Sequence, residues 1–321
     1  MKAIVYTEYG SPDVLQFKEV EKPVPKDDEV LVKVHAASLN NWDWDLVRGK
    51  PYLFRLISGL LKPKYNIIGA DIAGRVEAIG GNITGFQVGD EVFGDLCESG
   101  WGGFAEYTCA RENALALKPA SMTFEQAAAI PQGGVMALQG IRDDGKVQSG
   151  HKVLINGAGG ATGTFAIQMG KHYGAEVSAV DHASKFDLMR SIGADHVIDY
   201  TQEDFTQNGK QYDLIIDVVA NRSIFDYRRA LSPEGKFFMV GGTISSIFQV
   251  MILGPMISKK RGKKLGVLMH KPNKDLSYII ALFEAGKVIP VIDKCYPLSE
   301  VPEAIQRLGE GKSMGKIIIT M

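Results

Sequence analysis

Cysteine is scarce in this chain of 321 residues. Cys97, Cys109 and Cys295 are the three present, and no two of them share a C-x-x-C or other close spacing. That argues against a disulfide framework and against a cysteine-rich zinc site. No apolar run approaches the roughly 18 residues of a spanning helix. Charge of one sign is also missing: the formal net charge is −1, so nothing global steers the chain toward nucleic acid or an anionic surface. The start, "MKAIVYTEYG", goes straight into strand-like alternation without a charged segment ahead of an apolar one. No export signal is expected, and a cytoplasmic enzyme or binding protein is the starting expectation.

What is present is ordinary globular composition, 45% hydrophobic and 23% charged, at a length that suits two domains. The first third reads as short strands and turns, with strands expected at 3–6, 29–35, 73–79 and 102–110 and glycine corners across 81–94. From Thr123 the character changes. Thr123 with Gln126 forms a capping pattern ahead of an Ala-rich helix that Pro131 interrupts. Strands are then expected at 152–156, 176–180, 196–199, 213–219 and 236–240. Helical patterns such as "TFAIQMGKHYG" and "SKFDLMRSIGA" lie between the first three. This alternation predicts an α/β domain with a parallel sheet of right-handed βαβ units. A last helix and a strand at 316–320 do not obviously extend that sheet.

"INGAGGATG", residues 155–163, joins an apolar strand to a helix. Ala158, Gly159, Gly160, Ala161, Thr162 and Gly163 fit A-x-G-x-x-G, with alanine where the strict form has glycine. Gly160 removes a Cβ that would hold backbone away from a pyrophosphate. Gly163 lets the helix pack close to the strand, and the helix offers free N–H groups to phosphates. Asp181 follows Gly163 by 18 residues at the end of the next strand, near the spacing of a ribose-binding acid. A carboxylate there favours NAD, whereas His182 and Lys185 close behind would neutralise the 2′-phosphate of NADP. The choice between the two stays open. The bland alternative is a glycine-rich turn followed by a solvated loop.

Nearly the whole chain resembles the medium-chain dehydrogenase/reductase superfamily, and within it the zinc-independent quinone oxidoreductase-like group. The segments that carry the resemblance are "KVHAASLNNWDWDLVRGK", "IIGADIAGRVEAIG", "VGDEVFG", "GGFAEY", "AAAIPQGGVMALQGI", the glycine stretch, "IGADHVIDY" and "YPLSEVPEAIQRLGEGKSMGKIII", in the family's order. The resemblance implies a GroES-like β-barrel domain over 1–120, a doubly wound Rossmann domain over 121–286, and a return to the barrel over 287–321. In zinc-dependent relatives the metal ligands fall near Asn40–Asn41, at Ala70 beside Asp71, and at Gln132. Those places here hold amide, methyl and amide groups, so no metal is expected. His35 is read as structural. Without a Lewis acid, alcohol oxidation is disfavoured. Hydride transfer to a quinone or an α,β-unsaturated carbonyl in the interdomain cleft is the expected reaction.

The resemblance also assigns residues. Asn40 is implied as a contact of the nicotinamide and a donor to the acceptor carbonyl; its alternative is a turn amide that caps local backbone. Asp43 recurs beside it, either in the reaction or only orienting the loop and pairing with Arg48. Tyr52 is either substrate-facing or a barrel-edge aromatic, while Trp42 and Trp44 are packing. Met136 stands where relatives carry threonine, so it supplies packing to the cofactor. Tyr200 is expected near the adenine or in simple packing. Val219, and Gly241, Gly242 and Thr243, suit cofactor-contacting loops at strand ends, where such sheets bind ligands. Ala220 stands where glycine is usual.

Two features lie outside this scheme. In residues 245–266 an apolar stretch with Gly254 and Pro255, which break a helix, meets Lys259, Lys260, Arg261, Lys263 and Lys264. It reads as a roof over the substrate, or as a weak attachment to an anionic membrane surface. The strand at 236–240 is expected at an exposed sheet edge, which suits a homodimer. Two other function classes compete with the reductase: a dinucleotide-binding relative with little turnover, and a nucleic-acid binder, which the neutral charge balance disfavours.

Overall fold

The computed structural model describes residues 1–321, apart from the side chains of Ile57, Lys259, Lys260 and Arg261. The chain divides into two compact units.

The first unit comprises residues 1–132, 272–280 and 290–321. Its main sheet has seven strands. In spatial order they run Ile292–Pro297, Lys316–Thr320, Glu29–Ser38, Asp71–Ile79, Glu91–Asp95 and Ala116–Leu117, with Tyr107–Arg111 also paired to Glu29–Ser38. Lys316–Thr320 runs antiparallel to Glu29–Ser38, with Ile318 opposite Ser38. The C-terminal strand therefore does return to the barrel. Its core is aliphatic, with Val30, Val32, Ile72, Val92, Ile317 and Ile319 fully or almost fully buried, each stabilising the fold by about 1.5–3 kcal/mol.

The boundary falls at Gln132, later than the expected residue 120. Thr123 caps Phe124–Ala129, accepting from Gln126 N–H at 3.2 Å. That helix packs on Glu29–Ser38, Asp71–Ile79 and Lys316–Thr320, so it belongs with the barrel. Residues 272–280 rejoin this unit too. Asn273 binds the Asp95 backbone twice, at 2.7 and 2.8 Å.

The second unit comprises residues 133–271 and 281–289. Its six strands are all parallel, in the order His196–Asp199, Glu176–Asp181, Lys152–Asn156, Tyr212–Asp217, Leu231–Met239 and Lys264–Val267. The chain starts at Lys152–Asn156, steps outward twice, then returns to the other side at Tyr212–Asp217. The sheet therefore has its topological switch point between these two strands, the place where doubly wound sheets bind ligands. At that point Asn156 Nδ2 donates to Asp217 Oδ1 at 2.9 Å.

Two expectations are corrected here. The strand Leu231–Met239 is not an edge, because Lys264–Val267 lies outside it. Gly254 and Pro255 do not break the helix Ile244–Arg261, which Thr243 caps by accepting from Ser246 N–H at 3.2 Å. One proline removes a single ladder bond, and Ser258 Oγ still donates to the Gly254 carbonyl at 2.7 Å.

Candidate active site

In the first unit the strand Glu29–Ser38 ends and Asn40, in extended conformation, starts the helix Asn41–Arg48. Asn40 N–H donates to Asp43 Oδ2 at 2.8 Å, and Gly69 N–H donates to Asp43 Oδ1 at 3.1 Å. Asp43 is fully buried, and burial pushes its carboxyl up to about 7. Its contacts are with main chain, so Asp43 shapes the loop around Asn40. Arg48 lies over Trp44, 4.7 Å from the ring centroid, and is not the partner expected for Asp43.

Asn40 and Asp43 form a capping box at this helix start, as the turn-amide alternative expects, but the Asn40 side chain is not confined to it. Asp43 N–H goes to the main-chain oxygen of Asn40 at 3.0 Å. Asn40 Oδ1 instead accepts from Lys316 Nζ at 2.8 Å, and the same ammonium donates to Asp71 Oδ2 at 2.9 Å and to the Leu39 carbonyl at 3.4 Å. The Lys316 and Asp71 side chains are both 0% exposed. Burial pushes the Asp71 carboxyl up while Lys316 pulls it down. Asp71 also accepts from Gln132 N–H at 3.2 Å and from Ser38 Oγ at 3.3 Å. Two side-chain donors in this group, Asn40 Nδ2 and Gln132 Nε2, are buried and complete no hydrogen bond of good geometry among the described residues, although the Asn40 side chain is near enough to Asp71 to help hold its carboxyl down. An unmet buried donor costs about 1–3 kcal/mol, and a substrate oxygen would remove that cost.

Neither Lys316 nor the Gln132 amide was marked as functional from sequence. The signal for Lys316 is one lysine opening an otherwise apolar strand. Tyr52 stands apart from this group. It is 66% exposed, with the Arg55 guanidinium 5.0 Å from its ring. His35 stacks on Phe124 with centroids 4.3 Å apart, which suits its structural reading. Trp42 packs near Phe54 and Trp101.

In the second unit the glycine stretch links Lys152–Asn156 to the helix Ala161–His172. Gly157 has φ +79°, a conformation that glycine adopts without strain. A Cβ on Gly163 would lie 2.6 Å from Ala158 Cα, so only glycine lets the helix approach this closely. A Cβ on Gly160 would meet nothing nearer than the Gly157 carbonyl at 3.4 Å, which leaves that face of the loop open. No side chain caps this helix, so the first-turn N–H groups, including those of Ala161, Thr162 and Gly163, point free. Open backbone and a positive helix end together fit a pyrophosphate.

Asp181 ends its strand and turns toward this loop. Its Oδ2 accepts from Gly159 N–H at 2.9 Å, its Oδ1 from His182 N–H at 2.8 Å, and Lys185 Nζ lies 3.3 Å from Oδ1. Asp181 and Lys185 are both buried, so the solvated-loop alternative does not describe them. Val219 is half exposed past the end of Tyr212–Asp217, and its N–H donates to Asp217 Oδ1 at 2.9 Å. Gly241, Gly242 and Thr243 follow Leu231–Met239, where Gly242 faces Ala220 in a short bridge. Tyr200 is half exposed near the His182 ring, and Met136 is buried in Pro131–Leu138. Of the residues expected to hold a dinucleotide, those of the second unit, Met136 excepted, thus sit in loops or helix starts at the carboxyl ends of the parallel strands, while Asn40 lies in the first unit at the start of Asn41–Arg48.

Comparison with known proteins agrees with this geometry. Residues 26–120 match the family described as Alcohol dehydrogenase GroES-like domain, and residues 192–319 match Zinc-binding dehydrogenase. Over 99% of its length the chain is 34% identical to 2-methylene-furan-3-one reductase of Solanum lycopersicum, covering 79% of that protein. It is 33% identical to the chloroplastic NADPH-dependent alkenal/one oxidoreductase of Arabidopsis thaliana, with 99% of this chain and 79% of that one covered. The solved quinone oxidoreductase from Coxiella burnetii superposes with a TM-score of 0.89 at 28% identity, over 100% of this chain and 99% of that one. Fold and site define a medium-chain dehydrogenase/reductase, and the chain belongs to that superfamily. Within it, the chain is quinone oxidoreductase-like.

Proposed function

We propose that this protein is an NAD(P)H-dependent reductase of quinones and α,β-unsaturated carbonyls that works without zinc. The observation that carries the reading is the buried, unpartnered Nδ2 of Asn40. In a dry site such a donor stabilises negative charge as it develops on a carbonyl oxygen. When bound, the reduced nicotinamide supplies a hydride to the acceptor. The amides at Gly160 to Gly163 hold the pyrophosphate, and Asp181 with Lys185 lies beside the ribose. Because Lys185 offsets the charge of Asp181, the chain is proposed to accept NADH and NADPH alike. The relatives named for quinone and alkenal reduction support the acceptor class.

The zinc-free part rests on the donor set. Ala70 offers no ligand atom. Asn40 Oδ1 and Asp71 already face the Lys316 ammonium, and a second cation against them would be repelled. For a partner we propose a second copy of the chain, joined along the edge strand Lys264–Val267. Attachment to an anionic membrane surface through 245–266 has weaker support. Lys263 is bound to the Arg228 and Leu231 carbonyls, and the side chains of Lys259, Lys260 and Arg261 lie outside the described residues. No helix among the described residues is long and apolar enough to cross a membrane.

The test is steady-state oxidation of NADH and NADPH with a panel of quinones, enones and simple alcohol–aldehyde pairs. Turnover with quinones and enones is expected. Turnover confined to alcohols and aldehydes would refute the acceptor class. Tight dinucleotide binding without turnover of any acceptor would favour a binding role.

A further inference from the structure

The Lys316–Asp71 pair has the look of a structural ion pair, but one of its bonds is not needed for that. Lys316 Nζ has three protons, and all three have acceptors: Asp71 Oδ2, the Leu39 carbonyl and Asn40 Oδ1. The last contact decides which way the Asn40 amide faces. An ammonium donates only, so it can meet Oδ1 but not Nδ2. With Oδ1 held inward, Nδ2 becomes the end left without a protein partner. The main chain of Asn40 is fixed as well, through its N–H on Asp43. Backbone and side chain are therefore clamped separately, by two groups on different segments.

The place of this ammonium matters. It touches Asn40, within the Asn40–Asn41 place that the resemblance implies for the first ligand of zinc-dependent relatives, and Asp71, the neighbour of the second. Asp71 is in turn held by the N–H of Gln132, the third. A fixed cation of the chain's own thus stands among the three positions and organises the amide donor of the site.

We infer that Lys316 is a positioning residue for the reduction: it locks the Asn40 amide so that Nδ2 is presented to the acceptor oxygen, and Asp71 holds Lys316 in place. This rests on the reading of Asn40 as the acceptor's donor. Preorganised donors stabilise a transition state because they need not turn during the reaction. An Asn40 amide free to rotate would lose that advantage and would show it in kcat.

The experiment is a double-mutant cycle with 1,4-benzoquinone and NADPH. Lys316→Met is combined with Asp71→Asn, so that no buried carboxylate is left unpaired and Gln132 N–H keeps an acceptor. The paired variant should lower kcat about tenfold, while NADPH affinity should change far less, because the contacts proposed for pyrophosphate and ribose at Gly160 to Gly163 and Asp181 are untouched. Asn40→Ala alone should also lower kcat about tenfold. Added to the paired variant it should remove less than about twofold more, because coupled residues are not additive. Two losses that multiply in full, or a paired variant with normal kcat, would overturn the role of Lys316. Unchanged kcat in Asn40→Ala alone would instead overturn the reading of Asn40 itself, and the inference with it.

If the paired variant does not fold, Asn40→Asp decides. It keeps an oxygen toward Lys316 and removes the Nδ2 donor. It should lose kcat to the same degree as Asn40→Ala. A kcat that Asn40→Asp retains in full would overturn the role of the Nδ2 donor that Lys316 is inferred to position.

Discussion

Asp181 and Gly159 are joined across the glycine loop: the carboxylate Oδ2 accepts the Gly159 N–H at 2.9 Å. The acid proposed to face the ribose is therefore also part of the loop's own framework, and Lys185 pairs with it from 3.3 Å. Removing the lysine leaves the carboxylate to repel a 2′-phosphate. Lys185→Met should shift the ratio of kcat/KM values toward NADH by about tenfold, equivalent to about 1.4 kcal/mol. Asp181→Ser should shift it toward NADPH. Ratios that do not move in either variant would remove both residues from cofactor choice.

The two glycines of the loop should fail in different ways. Gly163→Ala puts a methyl group against Ala158, and overpacking of this kind costs about 1–3 kcal/mol. Its melting temperature should drop by several degrees. Gly160→Val has room in the protein, so its melting temperature should hold while dinucleotide affinity falls at least about tenfold. Calorimetric titration and thermal melts on both variants check the contrast.

Burial raises the Asp43 carboxyl to about 7, well above its value in an unfolded chain. The folded state therefore keeps a proton that the unfolded state has lost between about pH 4 and pH 7. Stabilisation from this group is complete below the unfolded value and is lost as pH rises through the folded one, at up to about 1.4 kcal/mol per pH unit. Relative to Asp43→Asn, the wild type should lose stability from pH 5 to pH 8. Denaturant melts across that range with parallel curves for the two proteins would refute the assignment.

Metal removal should change nothing. Activity should survive phenanthroline and EDTA, and elemental analysis should find no stoichiometric zinc. Zinc that leaves together with activity would overturn the zinc-free reading.

The parallel sheet is legible because short strands rich in Val and Ile alternate with helical patterns. His196–Asp199 and Lys152–Asn156 match their expected limits. The edge strand Lys264–Val267 was not legible: it is four residues long and follows a basic run. The sequence pattern therefore places the edge at 236–240, one strand too early. Pro255 misled because a local rule about proline cannot weigh the packing around a long helix. Asn40 and the glycine loop carry their signal in nearby residues. Lys316 does not, since its partners Asn40 and Asp71 lie 276 and 245 residues away and only the barrel brings them together.

The central claim is hydride transfer to an activated carbonyl acceptor, and isotope transfer tests it most directly. The protein should be given nicotinamide cofactor, NADH or NADPH, deuterated at C4 on either face, with an α,β-unsaturated ketone, and the product analysed by NMR. The account predicts deuterium on the β-carbon from one of the two labelled faces, with a rate about tenfold lower in Asn40→Ala. Reduced product carrying no deuterium from either face, or no consumption of the ketone by folded protein saturated with cofactor, would contradict it.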